Sequence, residues 1–112
     1  KEGQYLEAID GFNYYLSSNA TGKYADNSQY WLGEAYYVLQ KYDVAIEQYT
    51  SLIRDFPVSK KSSHALLKIG YCYEKLGDNQ KAIEVLLDLG KRFPNSAAAR
   101  LGQAKIEKLR TD

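Results

Sequence analysis

Methionine is absent from the 112 residues; cysteine, histidine and tryptophan occur once each, and proline twice. The single Cys72 has no internal disulfide partner, so no covalent framework holds the fold and the redox compartment stays open. One histidine, His64, leaves no imidazole cluster, and no spacing of Cys, His and carboxylates suits a metal ion. A phosphate-cradling glycine loop and a nucleophile motif are missing too. No apolar run nears the ~20 residues that cross a bilayer. Neither sign of charge dominates: 15 Lys and Arg face 14 Asp and Glu, a net +1, which gives no field to draw nucleic acid or an anionic membrane. Membrane association is therefore expected only indirectly, through a partner. The chain opens within a helical pattern and without a signal-like start. It is expected to be a piece of a longer polypeptide whose targeting sequence lies elsewhere.

What is present is tyrosine, 11 residues of it, with abundant helix formers and a long internal repeat. Ala8, Ala45 and Ala82 are 37 residues apart. The same step carries Ile9 to Ile46 to Ile83, and Phe12 to Tyr49 to Leu86. It also carries Gly33 to Gly70, Tyr36 to Tyr73, Leu39 to Leu76, and Phe56-Pro57 to Phe93-Pro94. Each unit reads as two helices. In the first, Leu32, Gly33, Tyr36 and Leu39 recur at helical spacing, matched by Ile69, Gly70, Tyr73 and Leu76. A mid-helix glycine costs about 1 kcal/mol against alanine, so its recurrence points to a neighbour too close for a side chain. In the second, Tyr42, Ala45, Ile46, Tyr49, Leu52 and Ile53 form one apolar stripe, opposite Asp43, Glu47 and Arg54. Phe56-Pro57 ends it. Gly77-Asp78 separates the helices of the later unit; Gln40 holds that place in the middle unit and Gly3 in the first.

This pattern resembles the tetratricopeptide (TPR) family: Leu-Gly, an aromatic, a small residue, a second aromatic and a closing proline, in order. The middle unit supplies Leu32-Gly33, Tyr36, Ala45, Tyr49 and Pro57; the later one Ile69-Gly70, Tyr73, Ala82, Leu86 and Pro94. The usual period is about 34 residues, so three extra fall in the loop around Val58–Ser62. The strings QYWLGEAYY (Gln29–Tyr37), ALLKIGYCYEKLGD (Ala65–Asp78) and RFPNSAAARL (Arg92–Leu101) are similar to the C-terminal TPR domain of the Tol-Pal-associated periplasmic YbgF (CpoB) family. The resemblance implies an all-α α-solenoid, a right-handed superhelix of antiparallel helix pairs. About six helices are expected, near 4–18, 26–39, 42–55, 62–76, 79–92 and 96–110. They divide into a half repeat (1–25), two repeats (26–62 and 63–95) and a capping helix (96–112), with Ala98, Leu101, Lys105 and Leu109 on its stripe. The half repeat leaves the stripe Tyr5, Ile9, Phe12 and Leu16 without a covering first helix. That edge is expected to be exposed or to offer a route to self-association.

The family implies a protein-binding scaffold, not an enzyme. A relative of the Tol-Pal-associated proteins would reside in the periplasm. It would bind TolA and a murein synthase, and so link outer-membrane constriction to peptidoglycan synthesis in cell division. Another envelope TPR assembly factor, a BamD-like outer-membrane lipoprotein, and a generic TPR adaptor are the alternatives. No cofactor, metal or small-molecule substrate is implied. His64 and Cys72 share a helix but stand about 80° apart beyond two full turns, so they form no catalytic pair. Cys72 falls in the packed register and reads as an inert thiol.

Partner binding is expected on the first helix of each unit, the face that lines the concave groove in TPR proteins. With Leu32 aimed at the core, that face carries Asn27, Tyr30, Glu34, Tyr37 and Val38. The next unit places His64, Leu67, Tyr71, Glu74 and Lys75 there, with Trp31 at the groove edge. Tyrosine suits such a surface because it offers apolar area and a polar tip at little rotamer cost. The carboxylate clamp of heat-shock co-chaperone TPR domains needs cations where Tyr30, Glu34, Leu67 and Tyr71 stand, so that mode is not expected.

Overall fold

The computed structural model describes residues 1–111; Asp112, the last residue of the expected closing segment, lies outside them. Six helices follow one another: α1 (Glu2–Ser18), α2 (Ala25–Val38), α3 (Tyr42–Asp55), α4 (Ser62–Lys75), α5 (Asn79–Arg92) and α6 (Ala97–Thr111). Each packs on the next, and α4 also meets α6, in a body of 44 × 30 × 18 Å. The described residues contain no strand.

Two kinds of junction alternate. The first helices, α2 and α4, end where the backbone turns left-handed, at Gln40 (φ 62°) and Gly77 (φ 86°). There Lys41 N–H donates to the Tyr36 carbonyl and Asp78 N–H to the Tyr73 carbonyl, each 2.9 Å, which satisfies carbonyls at the helix end. The second helices, α3 and α5, stop at Phe56 and Phe93, both at φ −134°, because the following Pro57 and Pro94 exclude helical backbone. Two residues beyond each proline a serine shapes the next start: Ser96 Oγ accepts from Ala99 N–H at 2.9 Å at the head of α6. Gly3 does not act as a third breaker; it lies in the first turn of α1 in helical backbone.

The 37-residue period is a period of packing. Ala45 and Ala82 are wholly buried, on the second helices that face α2 and α4. A Cβ added to Gly33 would lie 2.6 Å from Tyr49 Cε1, and one added to Gly70 would lie 2.5 Å from Leu86 Cδ2. Glycine is required there because the space belongs to the facing side chain. Ala25 and Ser62 share a register and both are wholly buried; the serine hydroxyl is satisfied by the Phe56 carbonyl at 3.1 Å.

The closing helix corrects one expectation. Its buried stripe is Ala98, Gly102, Ile106 and Leu109, while Leu101 is 52% exposed. At ~100° per residue Leu101 stands well to one side of that stripe. Lys105 is half-buried beside it.

Candidate partner-binding face

The first helices α2, α4 and α6 present successive faces joined by a repeated ionic step. Lys68 Nζ of α4 lies 3.3 Å from Glu34 Oε1 of α2, and 4.5 Å from the centre of the Tyr37 ring. One period on, Lys105 Nζ of α6 lies 3.1 Å from Glu74 Oε1 of α4, and 5.3 Å from the centre of the Tyr71 ring. Each lysine thus reaches back to a carboxylate and a tyrosine three residues apart, and the order of the two is exchanged between α2 and α4. These four ionic side chains are only 21–28% exposed, so the pairs are more shielded than ordinary surface bridges. A cation held over a ring adds attraction to the pair.

This arrangement sorts the expected groove residues. Tyr37 and Tyr71 are half-buried, each with one face under a lysine. Tyr37 also packs edge-on against Tyr42 at 5.3 Å. Burial, with smaller contributions from Cys72, Tyr42, Glu74 and Tyr71, pushes the Tyr37 phenol up to about 12. Asn27, His64 and Lys75 are exposed, and Val38 is 49% exposed.

Tyr30 and Leu67 do not line a surface. They are 8% and 3% exposed. The Tyr30 ring packs against Tyr49 at 5.9 Å and Trp31 at 5.4 Å, under Lys61 Nζ at 5.0 Å. Burial, then the nearby Glu34, raises its phenol to about 12. Leu67 is covered because α6 follows: a Cβ on Gly102 of α6 would lie 3.8 Å from Leu67 Cδ1. Trp31 remains 44% exposed at the edge.

Glu34 is engaged within the fold rather than free. It accepts a hydrogen bond from the phenol of the wholly buried Tyr49, besides the Lys68 pair. Burial first, and that bond second, push the Tyr49 phenol far above its ordinary value. Cys72 belongs to the same buried cluster as Tyr49. Its thiol is wholly buried and pushed up to about 12 by burial, with Lys68 opposing and Glu34 adding. A protonated thiol is a poor nucleophile. Glu34 and Glu74 are each held by a lysine rather than poised as an acid–base pair. Among the described residues no three His, Cys, Asp or Glu side chains are grouped to hold a metal, and no helix is long and apolar enough to cross a membrane.

Sequence reasoning passed over Lys68 and singled out Lys105 only as part of the closing stripe. The signal was the period itself, since the two lysines are 37 residues apart.

The tetratricopeptide repeat model matches residues 27–59 and 64–96, together more than half of the chain. No curated protein matches it. Two matched repeats, six helices and a glycine packed on a facing side chain in each matched repeat agree, and the chain belongs to the tetratricopeptide repeat family.

Proposed function

We propose that this TPR scaffold binds a segment of a partner protein across the α2–α4–α6 face, with Tyr37 and Tyr71 as its anchors. The observation that carries the reading is the lysine step. Lys68 and Lys105 hold two half-buried tyrosines in fixed orientations, so little entropy remains to be lost when a partner covers their open edges. The carboxylates are neutralised internally, which leaves a surface of aromatic edges with Asn27, Val38, His64 and Lys75 around them. Such a surface suits an uncharged or mixed peptide rather than a highly charged one.

The partner class we infer from the strings QYWLGEAYY, ALLKIGYCYEKLGD and RFPNSAAARL is that of the bacterial envelope. In this reading the chain works in the periplasm. It engages TolA and a murein synthase and coordinates outer-membrane constriction with peptidoglycan synthesis during division. Titration with a TolA fragment tests both parts. Tyr37→Ala and Tyr71→Ala should each weaken binding by about 30-fold, the ~2 kcal/mol typical of an aromatic anchor, while melting shifts little. Glu34→Ala should act oppositely, lowering the melt by stranding Lys68 and the Tyr49 hydroxyl. A parent protein that ignores TolA defeats the envelope assignment. Binding that survives both tyrosine variants defeats the face.

A further inference from the structure

Given the tyrosine face as the binding surface, we propose that it is electrically polarised. The partner segment it takes carries apolar residues for the α2 end and acidic side chains, glutamate or aspartate, for the α4–α6 end.

Charge is divided unevenly along the chain. Residues 1–59 hold four Lys and Arg against eight Asp and Glu, whereas residues 60–112 hold eleven against six. The first helices follow the same gradient. α2 has Asp26 and Glu34 and no cation, and α4 has Lys68 and Lys75 against Glu74. α6 has Arg100, Lys105, Lys108 and Arg110 against Glu107.

Internal pairing decides which of these charges a ligand meets. Asp26 accepts from Ser59 Oγ at 2.7 Å, Glu34 is held by Tyr49 and Lys68, and Glu74 by Lys105. Lys75 and Lys108 are exposed and belong to no ion pair among the described residues. Both border Tyr71. Lys75 is four residues beyond it, on the same side of α4; Lys108 is three residues beyond Lys105, whose ammonium lies 5.3 Å from the centre of the Tyr71 ring. One period back from Lys75 stands Val38, and two periods back from Lys108 stands the engaged Glu34. A ligand carboxylate therefore finds uncommitted ammonium groups beside Tyr71, while the lysine over Tyr37 already serves Glu34. The two ammonium groups stand on neighbouring helices, whose axes lie ~8–10 Å apart when packed, so they suit two side-chain carboxylates rather than one terminal carboxylate. Such complementarity fixes the orientation of a bound segment more than its raw affinity.

The probe is a short fluorescent peptide, acetylated and amidated, with phenylalanine and leucine in one half and glutamates in the other. Its anisotropy should saturate on titration with the protein, and the binding should weaken as salt rises. A counterpart with lysines in place of the glutamates should bind at least about tenfold more weakly. The double variant Lys75→Glu, Lys108→Glu should reverse that preference with little change in melting, since both lysines are exposed. Equal binding of the two peptides, or a double variant that keeps the parent's preference, overturns the polarity; loss of that binding in Tyr37→Ala and Tyr71→Ala would still uphold the tyrosine face. Binding that follows the glutamates but ignores both tyrosine variants overturns the face and the polarity together. No binding of the glutamate peptide, or binding that needs a free peptide C-terminus, also overturns the proposal, and titration with the TolA fragment then judges the face alone. So does self-association of the protein in sedimentation that Lys75→Glu abolishes, because the acidic half of a second copy would then be the ligand.

Discussion

The two halves of the chain run the same ladder and finish it differently. In the C-terminal half every step is closed. Gly77 supplies the left-handed turn, Asp78 caps α5 by accepting from Lys81 N–H at 3.0 Å, and α6 buries Ile106 and Leu109. Where Gly33 and Gly70 admit a facing side chain, the next register position in α6 is Glu107, exposed. That charged side chain is exposed, whereas Gly33 and Gly70 are buried. In the N-terminal half Gln40 stands in the left-handed turn, Lys41 offers α3 no side-chain cap, and Phe12 and Ala8 lie half-covered. One fold thus carries closely covered later steps and a half-covered first one. Stability should be graded along it, with α1–α3 opening before α4–α6.

The largest expected effect is alkaline, and it begins in the N-terminal half. Tyr30 and Tyr37 on α2 have phenols raised from 10.0 to about 12, and the Cys72 thiol that touches this region is raised from 9.0 to about 12. Tyr49 is raised further. Each group favours its neutral form in the fold, so its contribution is complete below its ordinary value and lost as pH climbs toward 12. Melting temperature should hold up to about pH 9 and then fall steeply. Tyrosinate absorbance should show a late group rising together with the loss of helix, and amide exchange should show α2 and α3 released first. A flat profile to pH 12, or release beginning in α6, would break the comparison.

Next in size is the glycine register. Gly70→Leu and Gly33→Leu must displace Leu86 and Tyr49 and should each cost about 1–3 kcal/mol in urea melts. Glu107→Leu occupies the same register on an uncovered face and should change the monomer by less than about 0.5 kcal/mol. It should also give α6 an apolar outer face, seen as concentration-dependent sedimentation. Equal costs at Gly70 and Glu107 would mean that the register, and not the covering helix, sets the requirement.

Much of this was legible in the sequence, because a period constrains every position more than once. The alanine and glycine registers, the Phe-Pro stops and the six helices follow from coincidences at one offset. Tyr30 and Leu67 were misplaced for a definite reason. The reading aimed a single line, Leu32, at the core, as for a helix packed on one side. A first helix in this solenoid is covered on two sides, so its apolar arc is wider and takes in Tyr30 beside Tyr49 and Leu67 beneath α6. Lys68 escaped notice because a charged residue on a helix is ordinarily solvated, and its partners lie 34 and 31 residues away. Only the packed structure brings it to Glu34 and Tyr37.

The smallest expected effect tests the halves at one residue each. Gln40 and Gly77 hold equivalent turns, at φ 62° and 86°. A side chain in this region crowds the following carbonyl and costs roughly 1–2 kcal/mol, which glycine avoids. Glycine in turn loses more freedom on folding, by about 0.4–1 kcal/mol. Gln40→Gly should therefore gain a few tenths to about 1 kcal/mol net, and Gly77→Gln should lose a similar amount. Nothing lies within 4 Å of a Cβ built on Gly77, so that loss would come from backbone strain and not from collision. Because the gain falls in the N-terminal half, Gln40→Gly should slow amide exchange in α2 and α3 more than in α5 and α6. A urea midpoint that drops for Gln40→Gly would show that the glutamine is held there by something other than tolerance. Uniform slowing along the chain would show that the halves unfold as one.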